Sequence, residues 1–552
     1  MTQTRSGGRI LIDNLVAQGC DRIFSVPGES FLPVLDALID RPEIGLIVCR
    51  QEGGASYMAE ADGKLTGRPG VVLVTRGPGA ANAAIGVHTA RQDSTPLLLL
   101  IGDVARGMRD REAFQEADFL AMFAPLAKWT ARIDDAARIP EYVARAYATA
   151  MSGRPGPVAL VLPEDMLRDQ VEAADRPKSV PPVQPACAMA TGALMGLLKD
   201  ACAPVAIIGG GGWDAAAAHH FAAFAERIGI PVATAFRRQD AIPSSSPVYA
   251  GNLGYGPNPK LVQRIRDADL LLVVGPTLGE ATTDGYTLIT PDHPNQKLVH
   301  VHPDPEQLGS VYVTDLPICA DMREFAELAE SWEDEIISFS SGAEAQREWL
   351  EWSTPAPRDV ALDLGQVVQA MRDSLPADTI LCNGAGNFSS WWHRYWHYGP
   401  FPSALGPTNG SMGYGLPAAV AAALRCPERR VVALAGDGDF LMNGQELATA
   451  VQYDVDLLIL VIDNASYGTI RMHQERAFPG RVSGTALRNP DFAALARAHG
   501  VWASTVESTE AFVPAFTEAL GQKGVRLLHL KTDVEAITHS TTLTEIREKA
   551  NG

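Results

Sequence analysis

Short apolar runs alternate with longer amphipathic stretches along most of the chain. The first set is 22-RIFSVP-27, 44-IGLIVC-49, 71-VVLVTR-76, 97-LLLLIG-102 and 158-VALVLP-163. A second set is 205-VAIIGGGG-212, 231-PVATAF-236, 270-LLLVVG-275 and 298-LVHVHP-303. A third is 379-TILCNG-384, 430-RVVALAG-436, 457-LLILVID-463 and 526-RLLHLKTD-533. Continuous apolar runs, rather than alternating ones, describe strands buried on both faces. With helix-length segments between them they predict parallel sheets covered by helices. The fold class expected is α/β, as three consecutive α/β domains with mostly parallel sheets. Between the first two sets lies 173-AADRPKSVPPVQPA-186, whose proline and charge mark a linker. The polar region from Ser340 to Arg358 ends in two close prolines, Pro355 and Pro357, and reads as a second linker without a regular helix. The domains expected are residues 1–172, 187–340 and 359–535, followed by a tail, 536–552.

Composition narrows the partners. At 552 residues the chain exceeds one core, and its 46% hydrophobic and 20% charged content is that of an ordinary globular protein. A net charge of −19 disfavours nonspecific nucleic-acid binding and anionic membrane surfaces. The seven cysteines are scattered without a C-x-x-C pair, which argues for a reducing compartment. No long apolar stretch suggests a signal peptide or a membrane span. A cytoplasmic location is the expectation.

The stretch 431-VVALAGDGDFLMNGQE-446 carries the chemistry. Gly-rich loops at the carboxyl ends of parallel strands usually present backbone N–H groups to phosphate. Here Gly436-Asp437-Gly438-Asp439 adds two carboxylates, which repel phosphate. A hard divalent cation between them, such as Mg²⁺, resolves the conflict, since it takes oxygen ligands and bridges carboxylate to diphosphate. The segment 443-NGQELATAVQ-452 is expected to be a helix whose N-terminus faces the anion. Asn464 follows Asp437 by 27 positions, enough for one helix and the adjacent strand, so both are expected at one sheet edge. An ordinary Gly-Asp-Gly turn is the bland reading. A dinucleotide loop lacks its third glycine, and a nucleotide hydrolase lacks its G-x-x-x-x-G-K-[ST] loop.

The G-D-G pattern with an Asn at this distance resembles the thiamine-diphosphate motif. Over essentially its full length the chain looks like the acetohydroxyacid synthase (acetolactate synthase) large-subunit branch of those enzymes. The resemblance implies a pyrimidine-binding domain, a central domain and a diphosphate-binding domain, in that order. It implies that Asp437, the Asn464 side chain and the Ser466 main-chain carbonyl hold Mg²⁺, within a cofactor loop of Gly436, Asp437, Gly438 and Asp439. The segment 50-RQEGGASYMAEADGKLTGRPG-70 is similar to the family's R-H-E-x-x-A stretch, which puts Glu52 on the aminopyrimidine as its acid–base partner. In 409-NGSMGYGLPAA-419, Met412 matches the apolar wedge that bends the cofactor, and the Gly410 carbonyl accepts from its amino group. The stretches 75-TRGPGAANA-83 and 112-EAFQEAD-118 also match, the second bringing Phe114 and Gln115 to the substrate. The family's sites form between subunits, so self-association as a dimer or tetramer is implied.

The activity implied is C–C lyase or carboligase chemistry. A 2-oxo acid loses carbon dioxide, and the cofactor-held enamine takes a proton or attacks a second carbonyl. Several positions depart from the family pattern. Gln51 stands where relatives have His. The stretch 277-TLGEA-281 lacks the arginines of an R-F-D-D-R segment, which weakens the case for FAD. His473 replaces an acceptor-selecting tryptophan, and 27-PGES-30 puts Glu29 at a position that is small in relatives. Glu29 or His473 is therefore a candidate second acid–base group. The run 209-GGGG-212 suits either nucleotide binding, as in relatives that cleave acyl-CoA, or packing, with packing preferred. The substrate classes in play are oxo acid, aldehyde and acyl-CoA. A 2-hydroxyacyl-CoA lyase or oxalyl-CoA decarboxylase, and a non-catalytic cofactor-binding homologue, are the alternatives. The segment 535–552 is expected to close over the site.

Overall fold

The apolar runs become strands because both of their faces are covered. Leu97–Asp103 and Pro157–Pro163 are buried at every residue, and Leu457–Asp463 at all but the last. The computed structural model describes residues 4–332 and 337–551. By packing, the described chain forms two units. One runs up to Pro182 and includes Val420–Arg425 and Asn443–Tyr453; the other holds the remainder.

The first unit contains a six-stranded parallel sheet of Arg22–Ser25, Gly45–Val48, Gly70–Val74, Leu97–Asp103, Trp129–Arg132 and Pro157–Pro163. Its spatial order is second, first, third, fourth, sixth, fifth. A small antiparallel pair, Thr4–Ser6 with Gln170–Glu172, lies outside it.

The second unit contains two more six-stranded parallel sheets. One comprises Pro204–Ile208, Val232–Thr234, Tyr249–Asn252, Leu270–Val274, Lys297–His302 and Leu316–Cys319. Its order, third, second, first, fourth, fifth, sixth, is that of doubly wound nucleotide-binding sheets. The other comprises Ile380–Asn383, Ala404–Leu405, Val431–Gly436, Leu457–Asp463, Trp502–Val506 and Val525–Lys531, and repeats the order of the first sheet. Each order reverses direction beside its first strand. Such a reversal opens a crevice at the carboxyl ends of the two strands flanking it.

All thirteen apolar runs read from the sequence are strands, and the α/β class with three mostly parallel sheets holds. The remaining parallel strands are short or half exposed, such as Ala404–Leu405 and Trp502–Val506, and carry little apolar signal. The region 173–186 contains no helix or strand, as expected of a linker. The second linker is corrected: Ser341–Trp352 is a helix. Its prolines lie beyond its end, and Ala345 and Trp349 form a narrow apolar face. Trp349 packs edge-on against Tyr249 with ring centroids 4.7 Å apart.

Candidate functional site

In the third sheet the strands Val431–Gly436 and Leu457–Asp463 are parallel neighbours, with Gly436 opposite Ile462. Asp437 and Asn464 therefore leave the sheet side by side, as their spacing predicts. A short helix not read from the sequence precedes the expected one. Asp437–Asn443 is itself a short helix, and a second begins at Leu447. The helix expected over 443–452 is present as a 3-10 turn, Gly444–Glu446, continued by the helix Leu447–Gln452.

Asp437 is 4% exposed and accepts from Asn489 Nδ2 at 2.7 Å. The same nitrogen donates to Asp463 Oδ1 at 2.7 Å. Burial raises the Asp437 pKa to about 6, with Asp463 adding to the rise and Asn489 opposing it. Asp463 moves the other way. Burial raises it, but bonds from His529, the Ala465 amide and Asn489 outweigh that and hold it at about 2. Asn464 Oδ1 accepts from the Ser466 amide at 3.1 Å, and Ser466 Oγ donates to the Thr485 carbonyl at 3.0 Å.

Asp439 faces the crevice between Ile380–Asn383 and Val431–Gly436. Its Oδ1 accepts from the amides of Gly413 at 2.7 Å and Ala385 at 3.1 Å, tying two loops together. Its Oδ2 is buried without a hydrogen-bond partner, and burial lifts its pKa to about 7. Glycines make this room: a β-carbon on Gly384 would collide with the Asp439 carboxyl, and one on Gly438 would press on Tyr467. Gly410 is exposed, with φ +68 and open space where a β-carbon would stand. Met412 is half-buried on the same loop and so is not a core methionine.

In the first unit, the candidate residues lie at the carboxyl ends of adjacent strands. Glu52 opens the helix Glu52–Thr66, is buried, and accepts from Asn82 Nδ2 at 2.9 Å. Gln51 caps this helix by accepting from the Gly54 amide at 3.1 Å, a structural use for the residue that departs from the family pattern. Buried Glu446 accepts from the amides of Arg50 and Gln51 at 3.1 and 3.0 Å and so fixes the turn before Glu52. Glu29 is 65% exposed at its side chain and ion-paired to Arg76 at 2.6 Å. Arg76 also donates to the Phe114 carbonyl at 3.2 Å, and the Gly77 amide to the Gln115 carbonyl at 3.0 Å. The Glu29, Arg76 and Phe114–Gln115 segments are thus joined. Phe114 is 71% exposed, and Gln115 adopts φ +64. His473 is exposed on the helix Gly468–Ala477.

Asn82, Glu446, Asp463, Asn489 and His529 were not read from the sequence. Asp463 could have been, since it ends an apolar run beside Asn464. The others depend on contacts across long stretches of chain.

The donor chemistry fits a hard cation and its anionic ligand. Asp437, Asn464 and Ser466 supply carboxylate, amide and main-chain oxygens. Among the described residues no three His, Cys, Asp or Glu side chains cluster as metal ligands. The expected set does not depend on such a cluster, because only one of its members is a carboxylate. Open space beside Gly410, where a β-carbon would stand, leaves the backbone of its loop accessible to a ligand.

Residues 5–122 match the N-terminal TPP binding domain of thiamine pyrophosphate enzymes, 192–328 the central domain and 384–530 the C-terminal TPP binding domain. The chain belongs to the thiamine pyrophosphate (thiamine diphosphate) enzyme family. Within that family it is similar to acetolactate synthase large subunits. Identity to that of Corynebacterium glutamicum is 31% over 537 residues, covering 93% of this chain and 84% of the relative. With the probable acetolactate synthase large subunit of Methanocaldococcus jannaschii it is 30% over 547 residues, covering 96% and 92%. With the isozyme 3 large subunit of Escherichia coli it is 29% over 557 residues, covering 97% and 96%. The chain is an acetolactate-synthase-like thiamine pyrophosphate enzyme. No helix among the described residues is long and apolar enough to cross a membrane.

Proposed function

We propose that the protein is a Mg²⁺- and thiamine-diphosphate-dependent C–C lyase or carboligase. It removes carbon dioxide from a 2-oxo acid and delivers the remaining acyl unit to a proton or a second carbonyl. The observation that carries this reading is the emergence of Asp437 and Asn464 from neighbouring parallel strands, with Ser466 two residues on.

Thiamine diphosphate, when bound, supplies the electron sink for cleaving a bond to a carbonyl carbon. The rest is the work of this chain. Asp437, the Asn464 side chain and the Ser466 carbonyl would hold the cation that the diphosphate requires. The loop from Gly436 to Asp439 would line the diphosphate, with Asp439 bracing the neighbouring loops. Glu52, buried and oriented by Asn82, holds and moves a proton at the pyrimidine ring. Met412 would support the bound cofactor from below its rings, and the Gly410 carbonyl would accept from its amino group. Gln115 and Phe114 line the substrate, with Glu29 or His473 as a further acid–base group.

By family resemblance the domains are 1–172, 187–340 and 359–535, and the working form is a cytoplasmic dimer or tetramer. Glu52 and Asp437 then serve one site from two chains. FAD and acyl-CoA have no part in the proposal. The glycine run after Pro204–Ile208 is occupied by packing: Gly210 lies against the Gly275 backbone, and Trp213 Nε1 donates to the Gly209 carbonyl at 2.6 Å.

The test is to supply thiamine diphosphate and Mg²⁺, offer 2-oxo acids, aldehydes and acyl-CoAs, and follow carbon dioxide and acyloin separately. Carbon dioxide release from a 2-oxo acid that requires both additions, and is lost in Glu52→Gln, is expected. Absence of product from every donor would overturn the reading.

A further inference from the structure

We propose that Asn489 is a positioning residue for the cation site, holding the Asp437 carboxylate in its ligating orientation against Asp463. The inference rests on the function proposed above. Both strand ends carry a carboxylate at the same level, and two carboxylates side by side repel. Asn489 Nδ2 has two hydrogens, and one goes to each: 2.7 Å to Asp437 Oδ2 and 2.7 Å to Asp463 Oδ1. Since both neighbours are acceptors only, the amide nitrogen rather than its oxygen must face them. A lysine or arginine here would satisfy them too, but would place a positive charge where a cation is to bind. A neutral donor fixes both carboxylates and leaves their charge available.

The fixed end of this chain of bonds is Asp463. It is the last residue of its strand, and its Oδ2 meets His529 Nε2 at 2.8 Å. Its Oδ1 also accepts from the Ala465 amide at 2.9 Å. Buried His529, on the adjacent strand, orients Asp463, which orients Asn489, which orients Asp437.

Asn489 is also carried on the same framework as the other expected ligands. The Leu487 amide donates to the Ala465 carbonyl at 2.8 Å and the Tyr467 amide to the Thr485 carbonyl at 2.9 Å. Ser466 and Ala486 form a β-bridge. Residues 485–487, just before Asn489, are thereby stitched to the loop bearing Asn464 and Ser466. A cavity of about 480 Å³, lined in part by Asp463, Asn464, Asn489, His529 and Lys531, opens beside this network.

The experiment titrates Mg²⁺ at fixed thiamine diphosphate into the full chain, reading binding by tryptophan fluorescence and calorimetry. Four proteins are compared: wild type, Asn489→Leu, Asn489→Ser and Asp437→Ala. Asn489→Leu keeps volume without donors, and Asn489→Ser is polar but too short to bridge. Each is expected to raise the Mg²⁺ concentration at half saturation by about 10–100-fold, as loss of an orienting partner does at metal sites. Full cofactor binding should return at high Mg²⁺, while the melting temperature of the metal-free variants falls because the two carboxylates lose their shared donor. Should Asn489→Leu fail to fold, Asn489→Ser gives the same reading. A wild-type Mg²⁺ dependence in either folded variant, with binding abolished in Asp437→Ala, would overturn the role of Asn489 alone. Cation-dependent binding that survives in Asp437→Ala would instead overturn the cation site itself.

Discussion

Two crevices in the second unit occupy the same place in their sheets and are built differently. One lies between Ile380–Asn383 and Val431–Gly436, the other between Pro204–Ile208 and Leu270–Val274. Both sit where strand order reverses, and both are lined by glycine. In the first, Gly384 makes room for a carboxyl group, and Asp439 fills it while collecting amides from two loops. In the second, glycines make room for other backbone. Gly210 rests on Gly275, and Trp213 and Met322 close the remaining space. A glycine run after a strand therefore marks close approach, and the approaching group decides whether the place can bind a ligand.

The comparison can be broken most decisively at the strand end beside the polar crevice. Asp437→Ala should abolish Mg²⁺-dependent binding of thiamine diphosphate, a loss beyond the about 10–100-fold expected for an orienting partner, since a direct ligand outweighs it. Calorimetric titration measures this, and unchanged binding would return the loop to an ordinary turn.

Adding one methyl group to each crevice is the next test. In Gly210→Ala the β-carbon meets the Gly275 carbonyl at φ +72, which should cost about 2–4 kcal/mol of stability. Cofactor affinity of the folded protein should not change. Gly384→Ala should cost a similar amount through displaced Asp439, and should also weaken the cofactor. Urea unfolding with parallel binding titrations separates the two. Equal effects on binding would erase the distinction between the crevices.

Acid provides a smaller effect. His393 meets Asn383, at the end of the Ile380–Asn383 strand, at 3.1 Å. Burial, with Arg237 and His539 adding to it, pushes its pKa down to about 3. Its folded pKa lies below the unfolded 6.5, so its contribution is complete above pH 6.5 and declines as pH falls toward 3. The slope for this fully buried group is about 1.4 kcal/mol per pH unit. The wild-type urea midpoint should fall between pH 6.5 and 5, and His393→Asn should make that fall shallower. His397 and His539, lowered chiefly by burial to about 4 and about 3, should sustain the remainder.

The smallest change sharpens the contrast. Trp213→Phe removes the indole N–H bond to Gly209 and should cost about 1–2 kcal/mol while leaving cofactor affinity at the wild-type value. A loss of affinity would assign the packed crevice to the site.

Much of this architecture was legible along the chain, because a strand buried on both faces must be apolar at consecutive positions. The same rule explains the errors. Ser341–Trp352 has an apolar face of only a few residues, so its polar surface and trailing prolines dominated. A separate short helix, Asp437–Asn443, precedes the helical segment expected over 443–452, and its glycine and paired carboxylates give it no apolar face to read. Side-by-side emergence of Asp437 and Asn464 followed from their spacing, since a crossover between adjacent parallel strands has a characteristic length.

What the sequence determined by itself was local: which segments are buried on both sides, and which strand ends carry oxygen ligands and glycine. What only the tertiary structure decided was which distant groups meet there. Glu446 grips the turn before Glu52, Asn489 spans Asp437 and Asp463, and Trp213 closes a crevice that glycine alone leaves open. Burial pattern is a property of consecutive residues and can be read in order. A hydrogen bond between side chains from different strands and loops depends on where the whole sheet places them.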